Sequence, residues 1–221
     1  MTSNHPITRS PDPPIPLVLA SSSPRRAEIL TAMGIPFVVD AADVSEEIRP
    51  GESALDAASR LAADKAACVA ERHPDSWVLA ADTLVLLGEE ILGKPRDDPD
   101  ARRMLGSLAG REHRVVTAAR LLRLADAGRE KIETSRVRIA PLSPEEILWY
   151  VATGEPRDKA GAYAVQGLGA RFIESVSGSY TNVMGLPARS VYLLLKESGD
   201  ASLARLALSD SSSLTPRPAG P

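Results

Sequence analysis

The run Trp77–Leu87, WVLAADTLVLL, carries one ionisable side chain, Asp82, in an otherwise uncharged and mostly apolar stretch. A run of this length and composition reads as a long buried strand. A carboxylate inside such a strand is costly unless it is paired or bound to a metal. Two explanations stand. Asp82 is a structural ion-pair partner, or it is a catalytic base or metal ligand of the kind that clusters at active sites. No basic residue follows it in sequence until Lys94, and Thr83 alternates to the opposite face.

Around that strand the pattern alternates. Short apolar strands are expected at Leu17–Ala20, Phe37–Val39 and Ile91–Leu92, and longer ones at His113–Leu124 and Lys131–Ala140, joined by the polar turn DAGRE. A further strand is expected at Arg171–Val176. Helices are expected over Ser23–Met33, Ser53–Arg72, Asp98–Leu108, Ser143–Thr153 and Pro187–Glu197. Ser23-Pro24 supplies an N-cap and a first helical proline, and Ser143-Pro-Glu-Glu146 supplies a capping box. This order means an α/β fold, and its hairpins make the sheet mixed rather than purely parallel. The ends are poor in core formers and rich in proline, so residues 1–16 and 209–221 are expected to be disordered extensions of one working domain, 17–208.

Composition removes several function classes. With 26 Lys+Arg against 29 Asp+Glu, the net charge of −3 disfavours a nucleic-acid binder that relies on a basic field, and eight aromatics offer few stacking platforms. One cysteine, Cys68, and three histidines are too few for a Cys/His zinc site. No apolar stretch approaches the ~18 residues of a membrane helix. The proline-rich start lacks a signal-peptide core, so a cytoplasmic setting is expected.

Three further features bear on whether the chain binds an anion. In LASSSPRRAEIL a strand ends in a serine-rich turn and a helix opens at Pro24. The unpaired N–H groups of a first helical turn attract anions, whereas Arg25 and Arg26 in that turn oppose the helix dipole. The segment is either a phosphate-binding corner using Ser21, Ser22 and Ser23 as donors, or a solvated arginine pair beside an ordinary cap. In the helix 53–72 the apolar face is expected to run Leu55, Ala58, Leu61, Ala62 and Val69, which puts Lys65 on the buried stripe. Lys65 then either snorkels to water or meets an anion in a cleft. Gly88–Pro95 matches the spacing of a phosphate-binding P-loop, but Pro95 stands where a hydroxyl must bind Mg²⁺. A turn and a short strand explain it better, and the hairpin is expected to bring Lys94 back toward Asp82. Asp97-Asp98-Pro99-Asp100 reads as helix capping.

S-S-S-P-R-R at 21–26, A-A-D-T at 80–83, G-K-P at 93–95, D-K-A-G-A-Y at 158–163, V-Q-G at 165–167 and Y-T-N-V-M-G-L-P at 180–187 occur in that order. Together they closely resemble the Maf family of nucleoside triphosphate pyrophosphatases, over about Leu17 to Lys196. The resemblance implies an elongated, bent mixed sheet flanked by helices, like that of inosine-triphosphate pyrophosphatases, with two lobes around a central cleft. It implies hydrolysis of a nucleoside triphosphate to the monophosphate and pyrophosphate with Mg²⁺ or Mn²⁺, in a cytoplasmic homodimer. Asp82 falls on the proton-acceptor position. Ser21, Arg26, Lys65 and Lys94 fall on substrate-binding positions, and Glu46 joins Asp82 as a metal ligand.

The resemblance also implies a substrate class. One branch, acting on dTTP and UTP, carries Arg, Thr and Gln where this chain has Arg25, Thr83 and Gln166; a second, acting on 7-methyl-GTP, carries an aromatic, Gln and Glu. All three positions match the first branch. An amide such as Gln166 offers both donors and an acceptor to the mixed edge of a uracil-type ring. In the expected mechanism Asp82 activates water for in-line attack at the α-phosphorus while the cations neutralise phosphate oxygens. The alternative is a nucleotide-binding regulator of septum formation with little turnover.

Overall fold

The computed structural model describes residues 17–208 apart from Ala125; the extensions expected at 1–16 and 209–221 lie outside the described residues. In chain order the elements are β1 (Leu17–Leu19), α1 (Pro24–Ala32), β2 (Val38–Val39), α2 (Ala54–Ala70), β3 (Trp77–Leu87), β4 (Glu90–Leu92) and α3 (Asp98–Leu108). Then follow β5 (Glu112–Leu122), β6 (Arg129–Ile139), α4 (Pro144–Ala152), β7 (Ile173–Ser177), α5 (Tyr180–Met184), α6 (Ala188–Lys196) and α7 (Ala201–Leu206). Three short 3₁₀ segments occupy the stretch between α4 and β7.

The strands form one seven-stranded mixed sheet of order β2-β1-β3-β5-β6-β7, with β4 on β3. β1 pairs in parallel with β2 and β3, and every other pairing is antiparallel. The expected α/β class with a mixed sheet is what the chain adopts.

β3 explains where a cleft opens. One of its edges pairs continuously with β5, from Val78 to Leu86. The other edge pairs with β1 at Trp77–Leu79 and with β4 at Val85–Leu87. Between those two pairings lies a gap, and Asp82 is at its centre.

The two faces of β3 show the same division. Val78 and Ala80 pack with Ala66, Val69 and Ala70 of α2, whereas Leu84 and Leu86 pack with Ala54, Ala57, Ala58 and Ala62. On the opposite face Leu79 and Ala81 join a cluster with Leu30, Leu186 and Leu194, whereas Val85 and Leu87 join one with Leu105, Ile139 and Tyr150. Asp82 and Thr83 therefore stand where one apolar cluster ends and the next begins, on either face. A polar pair at that seam interrupts no packed layer.

Helix boundaries follow local chemistry. Ser53, Asp97 and Ser143 each accept a hydrogen bond from the third residue beyond, and the box at Ser143 and Glu146 is closed in both directions. The reading of Asp97–Asp100 as capping holds, and so does the hairpin reading of Gly88–Pro95. Two expectations are corrected. Leu55 is half exposed, because the buried stripe of α2 runs instead through Ala54, Ala57, Ala58, Leu61, Ala62, Lys65, Ala66 and Val69. Ser23 occupies the N-cap position of α1, but its side chain makes no capping bond.

Candidate active site

Ser21, Arg25, Arg26, Glu46, Lys65, Asp82, Thr83, Lys94 and Gln166, all singled out from the sequence, line one cleft of about 450 Å³. Its floor is the gap in β3. Its walls are the start of α1, the irregular segment 40–53, the β3–β4 hairpin and the 3₁₀ segments after α4. The volume suits a ligand of nucleotide size.

At the floor, Lys65 does not snorkel to water but meets two carboxylates in the cleft, the second of the two alternatives, in a double ion pair. Its ammonium lies 2.5 Å from Asp82 Oδ1 and 2.6 Å from Glu46 Oε1. Asp82 and Lys65 are 6% and 7% exposed, so both charges are taken from water and each needs the other. Glu46 turns inward rather than the adjacent Glu47 and also meets Lys94 Nζ at 2.8 Å. Lys94 thus approaches the acidic pair through Glu46 instead of meeting Asp82 directly. Burial alone would raise the Glu46 carboxyl, but its bonds to Lys65 and Lys94 prevail and hold it at about 2.

The segment that carries Glu46 is strapped to α2 from outside. Arg60 binds Glu52 through Nε and Nη2 at 2.6 and 2.7 Å and donates to the Glu47 carbonyl at 2.9 Å. Arg72 and His73 bind Asp40, whose carboxyl is held at about 2 chiefly by its bond to Arg72.

Arg26 ties three elements together at the other wall. It donates to the Gly185 carbonyl at 2.8 Å, to Ser21 Oγ at 3.1 Å and to Thr83 Oγ1 at 3.4 Å. Burial lowers its pKa, with Asp82 and Glu46 opposing the shift. Thr117 Oγ1 donates to the Asn182 carbonyl and lies 2.9 Å from Thr83 Oγ1. That relay fixes the Thr83 hydroxyl from beneath. Arg25 faces Asp158 at 3.6 Å across the cleft mouth.

Several residues escaped the sequence reading. Asp158, Lys159 and Tyr163 line the cleft beside Gln166. Their only signal was the run D-K-A-G-A-Y, which has no helical or strand period. Gly161 explains part of that run: its φ is +70°, its N–H bonds to Gly93 O, and a Cβ there would meet Val85 Cγ1 at 3.0 Å. The glycine lets the 3₁₀ wall close onto β3 and the hairpin.

Asp82 and Glu46 are oxygen donors gathered at one ammonium, close enough to share a cation there. Among the described residues no group of three His, Cys, Asp or Glu side chains forms a closed metal cage. Two carboxylates in a cleft also lined by Arg25, Arg26, Lys94 and Lys159 fit the donor chemistry of Mg²⁺ or Mn²⁺, which bind through one or two carboxylates and complete their coordination with other oxygens and water.

Comparison with known proteins adds the following. The family model described as "Maf-like protein" matches residues 16–198. The chain is 49% identical to the dTTP/UTP pyrophosphatase of Symbiobacterium thermophilum, over 83% of this chain and 94% of that protein. It is 50% identical to the dTTP/UTP pyrophosphatase of Myxococcus xanthus, over 83% and 92%, and 46% identical to that of Aquifex aeolicus, over 82% and 94%. Among solved structures, a Ham1 protein of Staphylococcus aureus gives a TM-score of 0.42 at 18% identity, covering 56% of this chain and 71% of that one.

Proposed function

The chain belongs to the Maf-like protein family, and we infer that it is a dTTP/UTP pyrophosphatase, a hydrolase that releases pyrophosphate and leaves the nucleoside monophosphate. The observation that carries this reading is the buried carboxylate of Asp82 facing a cleft lined by Arg25, Arg26, Lys65, Lys94 and Lys159.

The cations and the first turn of α1 receive the triphosphate. Incoming phosphate oxygens compete with Asp82 and Glu46 for the Lys65 ammonium. As Lys65 turns to the substrate, Asp82 is freed to accept a proton from the attacking water. The water attacks the α-phosphorus in line, the bond to the bridging oxygen breaks, and pyrophosphate leaves with its charge held by the lysines and Arg26. Glu46 and Asp82 would hold a Mg²⁺ or Mn²⁺, which supplies charge neutralisation at the phosphate oxygens. Ser21 supports Arg26 and offers a hydroxyl at the same corner.

Arg25, Thr83 and Gln166 make up the selectivity group. Gln166 offers a donor and an acceptor to the pyrimidine edge. On the family resemblance, the same reading carries a divalent-metal requirement, a homodimer and a cytoplasmic setting. The net charge of −3 supports the absence of a nucleic-acid partner.

The test is pyrophosphate release from dTTP, UTP, dCTP, dATP and dGTP, each with Mg²⁺, with Mn²⁺ and with the metal removed by EDTA. The expected result is release from dTTP and UTP well above the other three, only with metal present. Release of orthophosphate instead, or preference for a purine, contradicts the reading.

A further inference from the structure

Gln166 reaches the cleft from a short segment whose backbone is tied down on both sides by one pair of side chains outside the cleft. The Glu155 carboxylate accepts from the backbone N–H groups of Leu168 and Gly169, both at 2.9 Å. It also accepts from the Tyr150 hydroxyl at 2.8 Å. That hydroxyl in turn accepts from the backbone N–H of Ala164 at 3.0 Å. Tyr150 is fully buried, and burial pushes its phenol up, which keeps the proton it donates to Glu155.

The segment wraps this pair too closely for side chains. A Cβ on Gly167, whose φ is +72°, would lie 2.7 Å from Glu155 Oε2. A Cβ on Gly169 would lie 2.5 Å from the Tyr150 hydroxyl. Glu155 is fixed at its own backbone, its N–H bonding to Thr153 Oγ1 and its carbonyl to Lys159 Nζ. Neither Glu155 nor Tyr150 is among the residues that line the cleft.

We propose that Glu155 and Tyr150 are positioning residues that hold the 164–169 segment so that Gln166 presents its amide to the base, and that they thereby set the preference for the uracil-type bases of dTTP and UTP. This rests on the reading of Gln166 as a selectivity residue. Both carboxylate oxygens face donors, so an amide at position 155 sets its NH₂ against at least one N–H or O–H in either orientation. The segment must then shift, and displacements well under 1 Å are enough to spoil a directional contact.

The experiment compares kcat/KM for dTTP with kcat/KM for dCTP and dATP in wild type, Glu155→Gln, Tyr150→Phe, Gln166→Ala and Glu155→Gln/Gln166→Ala, with Tm measured for each. In Glu155→Gln the dTTP:dATP ratio is expected to fall about tenfold or more, mainly through KM for dTTP, with a smaller fall in Tyr150→Phe. Adding Glu155→Gln to Gln166→Ala is expected to lower the ratio no further. A ratio unchanged in a folded Glu155→Gln overturns the proposal; if that variant does not fold, an unchanged ratio in folded Tyr150→Phe does so. An equal loss with and without Gln166 also overturns it, because the effect then does not pass through the amide. A wild type that does not prefer dTTP over dCTP and dATP removes the underlying reading instead, and is seen before any variant is made.

Discussion

Lys65 is the only hydrogen-bond partner that the Asp82 carboxylate has among the described residues, and replacing it with methionine would strand that buried acid. The expected cost of Lys65→Met is ~3–5 kcal/mol in urea unfolding of the free protein. Lys65→Met/Asp82→Leu should recover most of that stability and remain inactive. No stability loss in the single variant would mean that the pair is solvated. His113 makes a separate prediction. It is 2% exposed, its Nε2 lies 2.7 Å from the Tyr163 hydroxyl, and burial lowers its pKa to about 4. Between pH 6.5 and 4 the unfolded chain therefore binds a proton that the folded chain refuses, so this contribution to stability is complete above 6.5 and lost as the pH falls toward 4. The loss is about 3 kcal/mol. Unfolding free energies of wild type and His113→Gln should diverge over that window; parallel curves would contradict it. Asp82 and Lys65 were legible in the sequence because each sets a charge on a position whose neighbours are apolar. Thr117, Tyr150 and Glu155 were not, because a neutral hydroxyl in a strand or a helix, or an acid after a helix, breaks no pattern.

Elements with a strong period came out at the residues the sequence indicated. β3 and α3 match their expected limits, since an apolar run bounded by turns and an Asp-Pro cap leave little choice. β5 and β6 each lie one or two residues earlier than expected, because β5 ends at Leu122 and Arg129 already pairs with Leu121. α5 and α7 were missed. They have 5 and 6 residues, too short for a 3.6-residue period to show, and their signals are the side-chain caps Ser179 and Asp200. The 3₁₀ segments gave no period at all, which is why the wall carrying Gln166 was recognised only by motif. α4 offers an element-scale test. Its capping box is closed by Ser143 and Glu146, and the helix carries Tyr150. Ser143→Ala should cost ~1 kcal/mol and lower Tm, while leaving kcat for dTTP near wild type. A large loss of activity at unchanged Tm would mean that the helix start acts on the cleft in some other way.

At the scale of the molecule, β3 is a spine shared by two sets of apolar clusters, and the cleft is what remains where neither set covers it. The gap between β1 and β4 could not be read from the sequence, since strand order and register depend on non-local pairing. What the sequence did carry was the one place on the spine where a charge is tolerated. On the proposed function, the buried acid on the floor, paired with Lys65 in the free protein, acts on what the cations on the walls hold. The most direct test is the steady-state rate of pyrophosphate release from saturating dTTP by Asp82→Asn beside wild type. The account predicts that kcat falls by ~10²–10⁴-fold, the range expected for losing a general base. Turnover within a few-fold of wild type would contradict it.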